Sequence, residues 1–184
     1  HAFRHGRLPM QTRALVHELE GRQRQRSSTD GDAKPRVLLT GSPIFFPEYG
    51  ILHLLEEAGA EIVADEMCSG SERLHHPTVI DEATVASMVR AAADRAYLPC
   101  TCPCFVSPDD RIDRLYELAE RSRAQGVVHH TLRLCHLYDM ELSRVTGAMK
   151  GRDLPLINIV GEYGSEGSAI VQNRLEAFVE MLEG

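Results

Sequence analysis

The residues best equipped for chemistry are five cysteines, Cys68, Cys100, Cys102, Cys104 and Cys135. As thiolates they can ligate a metal, carry a redox couple or attack an electrophile. Three of them crowd into the run Cys100-Thr-Cys102-Pro-Cys104. A single intervening residue is not the usual spacing of zinc or ferredoxin sites, so this run points to metal or redox chemistry without choosing between them. Pro99 and Pro103 stiffen it and remove N–H donors. The cysteine count is odd and the chain is not a small, loop-rich scaffold, so a disulfide framework is not expected. A reducing cytoplasm suits free thiols. There, clustered cysteines are more often metal ligands or redox groups.

The other candidates are weaker. His129 and His130 are neighbours in an apolar run, so strand alternation sends them to opposite faces, where hydrogen-bonded structural roles are expected. His75 and His76 fall in a polar loop and read as solvated. Ser42 is a nucleophile in type, but no G-x-S-x-G elbow surrounds it, which weakens a hydrolase reading. Asp65-Glu66 resembles a paired-carboxylate site, although acids at strand ends are more often caps or solvated groups. Neither a phosphate-binding P-loop nor a G-x-G-x-x-G turn is present, which argues against an ATPase or a standard dinucleotide binder.

These residues need elements to hold them. Residues 7–26 read as a helix, with Leu8, Leu15, Val16 and Leu19 as a partial apolar stripe. Residues 27–35, SSTDGDAKP, read as a linker. Short apolar runs at 36–40, 61–64, 126–132 and 156–160 read as buried strands. Between them, helices are expected from Pro47-Glu48 to Gly59 and over 81–96, 109–124, 135–149 and 167–182. Their inward residues are expected to be Ile51, Leu52, Leu54 and Leu55, then Val85, Met88, Val89 and Ala92. Ile112, Leu115, Leu118 and Ala119 follow in the third helix, and Ile170, Leu175, Phe178, Val179 and Leu182 in the last. Residues 65–70 and 99–108 read as loops. Strands alternating with helices imply βαβ units and a parallel sheet, and strands without polar alternation imply that both faces are covered. The expected fold is therefore a three-layer α/β domain with a sheet of four strands. Residues 1–34 form a helix and linker leading out of a preceding domain, and residues 35–184 form the domain itself. The chain opens on His1 rather than Met, so a preceding half is expected.

In such sheets ligands bind beyond the carboxyl ends of the strands. Ser42, Cys68 and Cys135 all follow strands and fall at that rim. Cys135 begins a helix, where free N–H groups and the helix dipole stabilise a thiolate. A polar neighbour, His136, favours function for Cys135, whereas Cys68 reads as core or as support for a site.

Composition narrows the classes. The 184 residues suit one domain with a short extra segment. Hydrophobic residues make up 43% and aromatic residues only 5%, so the core must be aliphatic. A net charge of −7 argues against nucleic acid as the main partner. No apolar stretch approaches the about 20 residues of a membrane span, so no membrane partner is expected.

Several segments in order resemble the 2-hydroxyacyl-CoA dehydratase D-component and benzoyl-CoA reductase-like subunits. They are Arg36-Val-Leu-Leu-Thr-Gly-Ser-Pro43, Ala64-Asp-Glu-Met-Cys-Ser-Gly70, Leu98-Pro-Cys-Thr-Cys102, Arg111-Ile-Asp-Arg-Leu115, the block 126–141 and Asn173-Arg-Leu-Glu-Ala-Phe178. The Cys135-His136…Tyr138…Glu141 block is the most telling. The resemblance implies a subunit of two flavodoxin-like halves, of which this chain is the C-terminal one. It implies a [4Fe-4S] cluster on three cysteines, an acyl-CoA substrate, a related second subunit in a heterodimer (or a homodimer), and an ATP-dependent activator protein. That activator supplies one electron, and a ketyl radical then expels the hydroxyl group, which makes the enzyme a lyase. Carried onto this sequence, Cys135 is the metal ligand. Cys100, Cys102 and His136 are further cofactor-site candidates, Ser42 and Glu141 are the catalytic candidates, and Cys104 is additional to the pattern. Two alternatives stay open: a reductase of small molecules carrying a double cubane cluster, and a cluster-free flavodoxin-like binding or regulatory domain.

Overall fold

A computed structural model describes residues 10–26, 34–67, 70, 78–97, 103, 108–162 and 169–184. The chain divides into two units, His1–Ala33 and Lys34–Gly184. The first contains helix α1 (Met10–Arg26), whose Leu15, Val16 and Leu19 are exposed.

Four short runs rich in Val, Leu and Ile pair as strands: β1 (Arg36–Gly41), β2 (Glu61–Met67), β3 (Gly126–Leu132) and β4 (Leu156–Gly161). They form one all-parallel sheet in the order β2-β1-β3-β4. Parallel neighbours need long crossovers. These are α2 (Gly50–Glu57) after β1, α3 (Val85–Tyr97) and α4 (Pro108–Ser122) after β2, and α5 (His136–Lys150) after β3. Helix α6 (Ala169–Glu183) closes the chain.

Strand alternation sorts the core into two layers. Val37, Leu39, Met67, Val128 and Ile159 meet Ile51, Leu54 and Leu55 of α2 and Leu175, Phe178 and Val179 of α6. On the other face, Leu38 and Val127 meet Leu115, Leu118 and Ala119 of α4 and Val145 and Met149 of α5. The result is a three-layer flavodoxin-like α/β domain whose strand order matches the first four positions of that fold's sheet.

Two boundaries and one buried face differ from the sequence reading. Helix α2 starts at Gly50 rather than at Pro47-Glu48, because residues 45–49 form a tight turn with Glu48 N–H bonded to the Phe45 carbonyl. Strand β2 runs on to Met67, since Asp65, Glu66 and Met67 pair with Leu39, Thr40 and Gly41. In α3, Val85, Met88, Val89 and Ala92 are exposed and only Ala91 is buried. The helical period there is real, but a period alone does not supply a surface to pack on.

Candidate functional site

The carboxyl ends of the strands converge on a rim. After β3 the chain turns through Arg133 and Leu134 into α5, with Cys135 as the residue before the first helical turn. The turn is closed by Cys135 N–H bonding to the Leu132 carbonyl at 2.9 Å, and Arg133 N–H bonds to the Gly161 carbonyl at 2.8 Å. Leu134 has φ +71°, in the left-handed region that a leucine rarely occupies, and its side chain is exposed. The Cys135 carbonyl accepts from Asp139 N–H at 3.1 Å, and its side chain makes no capping hydrogen bond. The thiol is free and half-buried. Cys135 thus occupies the N-cap position of α5 with its sulfur left out of the capping. His136, the first residue of α5, is exposed. Beside the turn lies a depression of about 290 Å³ lined by Leu132, Arg133, Leu134 and Glu162.

Ser42 lies just past β1 and is wholly buried. Its N–H bonds to the His130 carbonyl at 2.7 Å and its Oγ accepts from Leu132 N–H at 3.0 Å. The hydroxyl therefore extends the β1–β3 ladder by one residue. The backbone comes close here: a Cβ on Gly41 (φ +117°) would stand 2.0 Å from the His130 carbonyl oxygen, so only glycine fits. His130 occupies the α2/α6 side, with Nδ1 3.4 Å from the Ser42 carbonyl, and burial lowers its pKa.

On the α4/α5 side a polar row crosses the whole sheet. Glu66, Thr40, His129 and Asn158 are register neighbours in β2, β1, β3 and β4. The Arg111 side chain of α4 lies over this row, wholly buried. Its Nη1 pairs with Glu66, its Nη2 donates to Thr40 Oγ1 at 2.7 Å, and its Nε donates to Glu141 Oε2 of α5 at 2.7 Å. Thr40 Oγ1 passes its own proton toward the Glu66 carbonyl at 3.3 Å. The guanidinium carbon stands 5.1 Å from the centre of the Tyr138 ring, also on α5. One cation thus meets two buried carboxylates. Burial works to lower the Arg111 pKa, but the charges of Glu66 and Glu141 outweigh it and the guanidinium is held more firmly protonated. Burial raises the pKa of Glu141 against the pull of Arg111, and its Oε1 has no hydrogen-bond partner.

Further along the row, His129 Nδ1 is 3.2 Å from Asn158 Oδ1 and 3.1 Å from Thr131 Oγ1. An acceptor at that distance assigns the proton to Nδ1. Its Nε2 is buried without a partner, and the ring packs edge-on to Tyr138 at 6.1 Å. Desolvation, reinforced by the charge of Arg111, pushes its pKa down to about 4. His129 is therefore neutral at physiological pH.

The structure thus places Cys135 and His136 at the rim, Ser42 in the ladder beneath it, and Glu141 in the dry row below. Cys68, Cys100, Cys102 and Cys104 lie outside the described residues. Asp65-Glu66 is not a solvated pair of acids: Glu66 is buried and ion-paired. Arg111 and the polar row were not expected as a unit. The signal was available, because Arg111 falls on the α4 stripe with Leu115 and Leu118, and Glu141 falls on the α5 stripe with Val145 and Met149. Opposite charges on two inward stripes must either meet or leave a buried charge unpaired.

Fold and rim define a flavodoxin-like α/β domain presenting a free thiol where a helix leaves the sheet. The chain matches the family described as 2-hydroxyglutaryl-CoA dehydratase, D-component, over residues 3–182, and it belongs to that family. It is also 29% identical over 175 residues to the Escherichia coli (strain K12) protein named "Putative dehydratase subunit YjiM". That match covers 92% of this chain and 44% of the relative, so the chain spans under half the length of the protein it resembles.

Proposed function

We propose that this domain is one half of a 2-hydroxyacyl-CoA dehydratase-type subunit, and that Cys135 is its ligand to a [4Fe-4S] cluster. The observation that carries the reading is the free thiol at the start of α5, at the rim where parallel α/β sheets bind their ligands. Cysteine sulfurs are the usual ligands of such clusters. The fit is that of a single ligand. Among the described residues no group of three His, Cys, Asp or Glu is arranged to hold a metal. Further ligands must come from outside the described residues, where Cys100 and Cys102 are candidates, or from a further domain or subunit. When bound, the cluster would supply one-electron chemistry and a Lewis-acidic iron for the thioester carbonyl of an acyl-CoA.

The chain's own residues would do the following. Cys135 anchors, and His136 beside it is exposed and able to donate a hydrogen bond toward a bound group. Ser42 holds the β1 and β3 ends in register under the rim. Glu141, whose pKa is raised, is a buried acid behind it. The partners in this reading are a related second subunit, in line with the relative's name as a subunit, and, from the family resemblance alone, an ATP-dependent activator. Among the described residues no helix is long and apolar enough to cross a membrane.

Anaerobic purification of the full-length protein, with iron and acid-labile sulfide analysis, tests this. Cys135→Ala is expected to lower cluster iron and alter the electron paramagnetic resonance spectrum. Iron content and spectrum equal to the unsubstituted protein would remove the assignment. Turnover of acyl-CoA with the activator then separates dehydration from reduction of other small molecules.

A further inference from the structure

Something other than the N-cap must pin the start of α5. Cys135 makes no side-chain capping bond, and Leu137 and Met140 in the opening turns are exposed. The buried apolar anchors, Val145 and Met149, lie in the second half of the helix. Apolar contact is non-directional and sets burial rather than placement. Tyr138 packs edge-on to His129, and the side chains of both Tyr138 and Glu141 in the first half reach Arg111. Glu141 bonds to Arg111 Nε, and the Tyr138 ring lies under the same guanidinium. Arg111 is in turn fixed by Glu66 of β2 and Thr40 of β1, each one residue before its strand ends. A planar guanidinium with fixed donors transmits orientation as a flexible ammonium cannot.

We propose that Arg111 is a positioning residue for Cys135: by tying Glu141 and Tyr138 to β1 and β2, it sets where the first turn of α5, and hence the thiol, stands at the rim. The inference rests on the reading of Cys135 as a cluster ligand for its purpose, though not for its geometry. Buried ion clusters are weak contributors to net stability but can specify a unique arrangement. Here the arrangement specified would be that of the ligand-bearing helix start.

The test compares Arg111→Lys, Glu141→Gln and Leu118→Ala in the full-length protein. Leu118 packs on the same face without joining the polar row. Lys keeps the charge but gathers its donors on one flexible nitrogen, without the fixed fork that spans Glu66, Thr40 and Glu141. Gln keeps the shape of Glu141 and one acceptor, so that variant is expected to fold. Hydrogen exchange resolved by peptide reads residues 136–141, and iodoacetamide labelling read at the same peptide follows the Cys135 thiol before iron is loaded. Arg111→Lys should speed exchange at the start of α5 by about tenfold over the rest of the sheet, which is what losing one charge-assisted hydrogen bond does to a local opening. Labelling of Cys135 should change with it. Glu141→Gln should show the same pattern more weakly, and the anaerobically loaded Arg111→Lys protein should show a shifted paramagnetic spectrum. Leu118→Ala should speed exchange across the whole domain. If Arg111→Lys matches the Leu118→Ala pattern, or leaves the start of α5 and Cys135 labelling unchanged, Arg111 is mere packing and the inference falls. Cys135→Ala decides the other question separately. Retained iron there would end the cluster reading while leaving the exchange result to decide the placement.

Discussion

The two faces of the sheet are built differently. The α2/α6 face is mainly apolar, from Val37 and Leu39 to Ile159 and Met67, with the buried His130 near its carboxyl end. The α4/α5 face is apolar at the amino ends of the strands, where Leu38 and Val127 meet Leu115 and Met149. Toward the carboxyl ends it turns polar, with Glu66, Thr40, His129 and Asn158 roofed by Arg111, Tyr138 and Glu141. Both faces are dry and both cover the sheet. One is held by area, which tolerates sliding, and the other by bonds with fixed directions. The polar end of the second face lies directly below the strand-to-helix turn that carries Cys135. Where a helix has only to cover, hydrophobic burial suffices. Where it has to deliver a group to a fixed place, the domain accepts the desolvation of three charges.

The strongest way to break this comparison is to strip the second face of its cation. Arg111→Met removes the buried cation that Glu66 and Glu141 share. Loss of one member of a buried ion cluster costs about 3–5 kcal/mol, enough to threaten a marginally stable domain. Leu55→Ala in the α2/α6 layer should cost a similar about 2–5 kcal/mol through a cavity. The two should differ in kind. Adding Glu66→Gln and Glu141→Gln to Arg111→Met should recover much of the loss, because no uncompensated charge is left. No second substitution of charge should rescue Leu55→Ala. Urea denaturation of the two single variants and the triple variant measures this. Failure of the triple variant to recover would mean that Arg111 matters for its bulk and not for its charge.

Much of the scaffold could be read from periodicity alone. Runs such as Val37-Leu38-Leu39 and Val127-Val128 announce strands covered on both faces, and the Leu115, Leu118, Ala119 stripe announces a helix over them. Cys135 at a helix start followed directly from where the third strand ended. The polar row was not legible in the same way. Glu66 reads locally as an acid at a strand end, and Arg111 reads as one charge among several in a charged helix. Their partnership spans 45 residues of chain and exists only when β2 and α4 stack on the same face. The reverse failure occurred at α3, where Val85, Met88 and Val89 carry a helical period yet stay exposed. Patterns within an element are local and survive in a sequence. Pairings between elements depend on the third dimension.

A smaller effect sharpens the comparison through acid. His129 is in the polar row with its pKa pushed down to about 4 by burial. The unfolded chain protonates such a residue near its ordinary value of about 6.5. Between those values the unfolded state binds more protons, so stability falls as pH drops from about 6.5 toward about 4, by up to roughly 3 kcal/mol. The raised pKa of Glu141 acts in the opposite sense, since its protonated form is the one burial favours. Urea midpoints across that range should therefore fall with acidity in the parent and fall less in His129→Gln. Equal slopes in the two proteins would show that the ring is not held neutral by the row. The apolar face offers a control, because Leu55→Ala should shift the whole curve down without changing its slope.

The smallest expected effect sets a lower bound. Helices α4 and α5 are joined a second time, by Arg144 Nη2 to Asp109 Oδ1 at 3.2 Å, but this pair is solvent-exposed. It links the same two helices with the same type of cation as Arg111 and Glu141. Water screens it, and ordering two long side chains offsets most of the attraction, so such pairs are worth about 0–1 kcal/mol. Arg144→Ala should change the urea midpoint within error at physiological salt and leave the exchange of residues 136–141 untouched. Any residual effect should disappear as salt shortens the screening length. If Arg144→Ala loosened the start of α5 as much as Arg111→Lys does, then the number of ties between the helices would matter, and the dry, directional character of the inner tie would not. The distinction between the two faces would then reduce to a count of ion pairs.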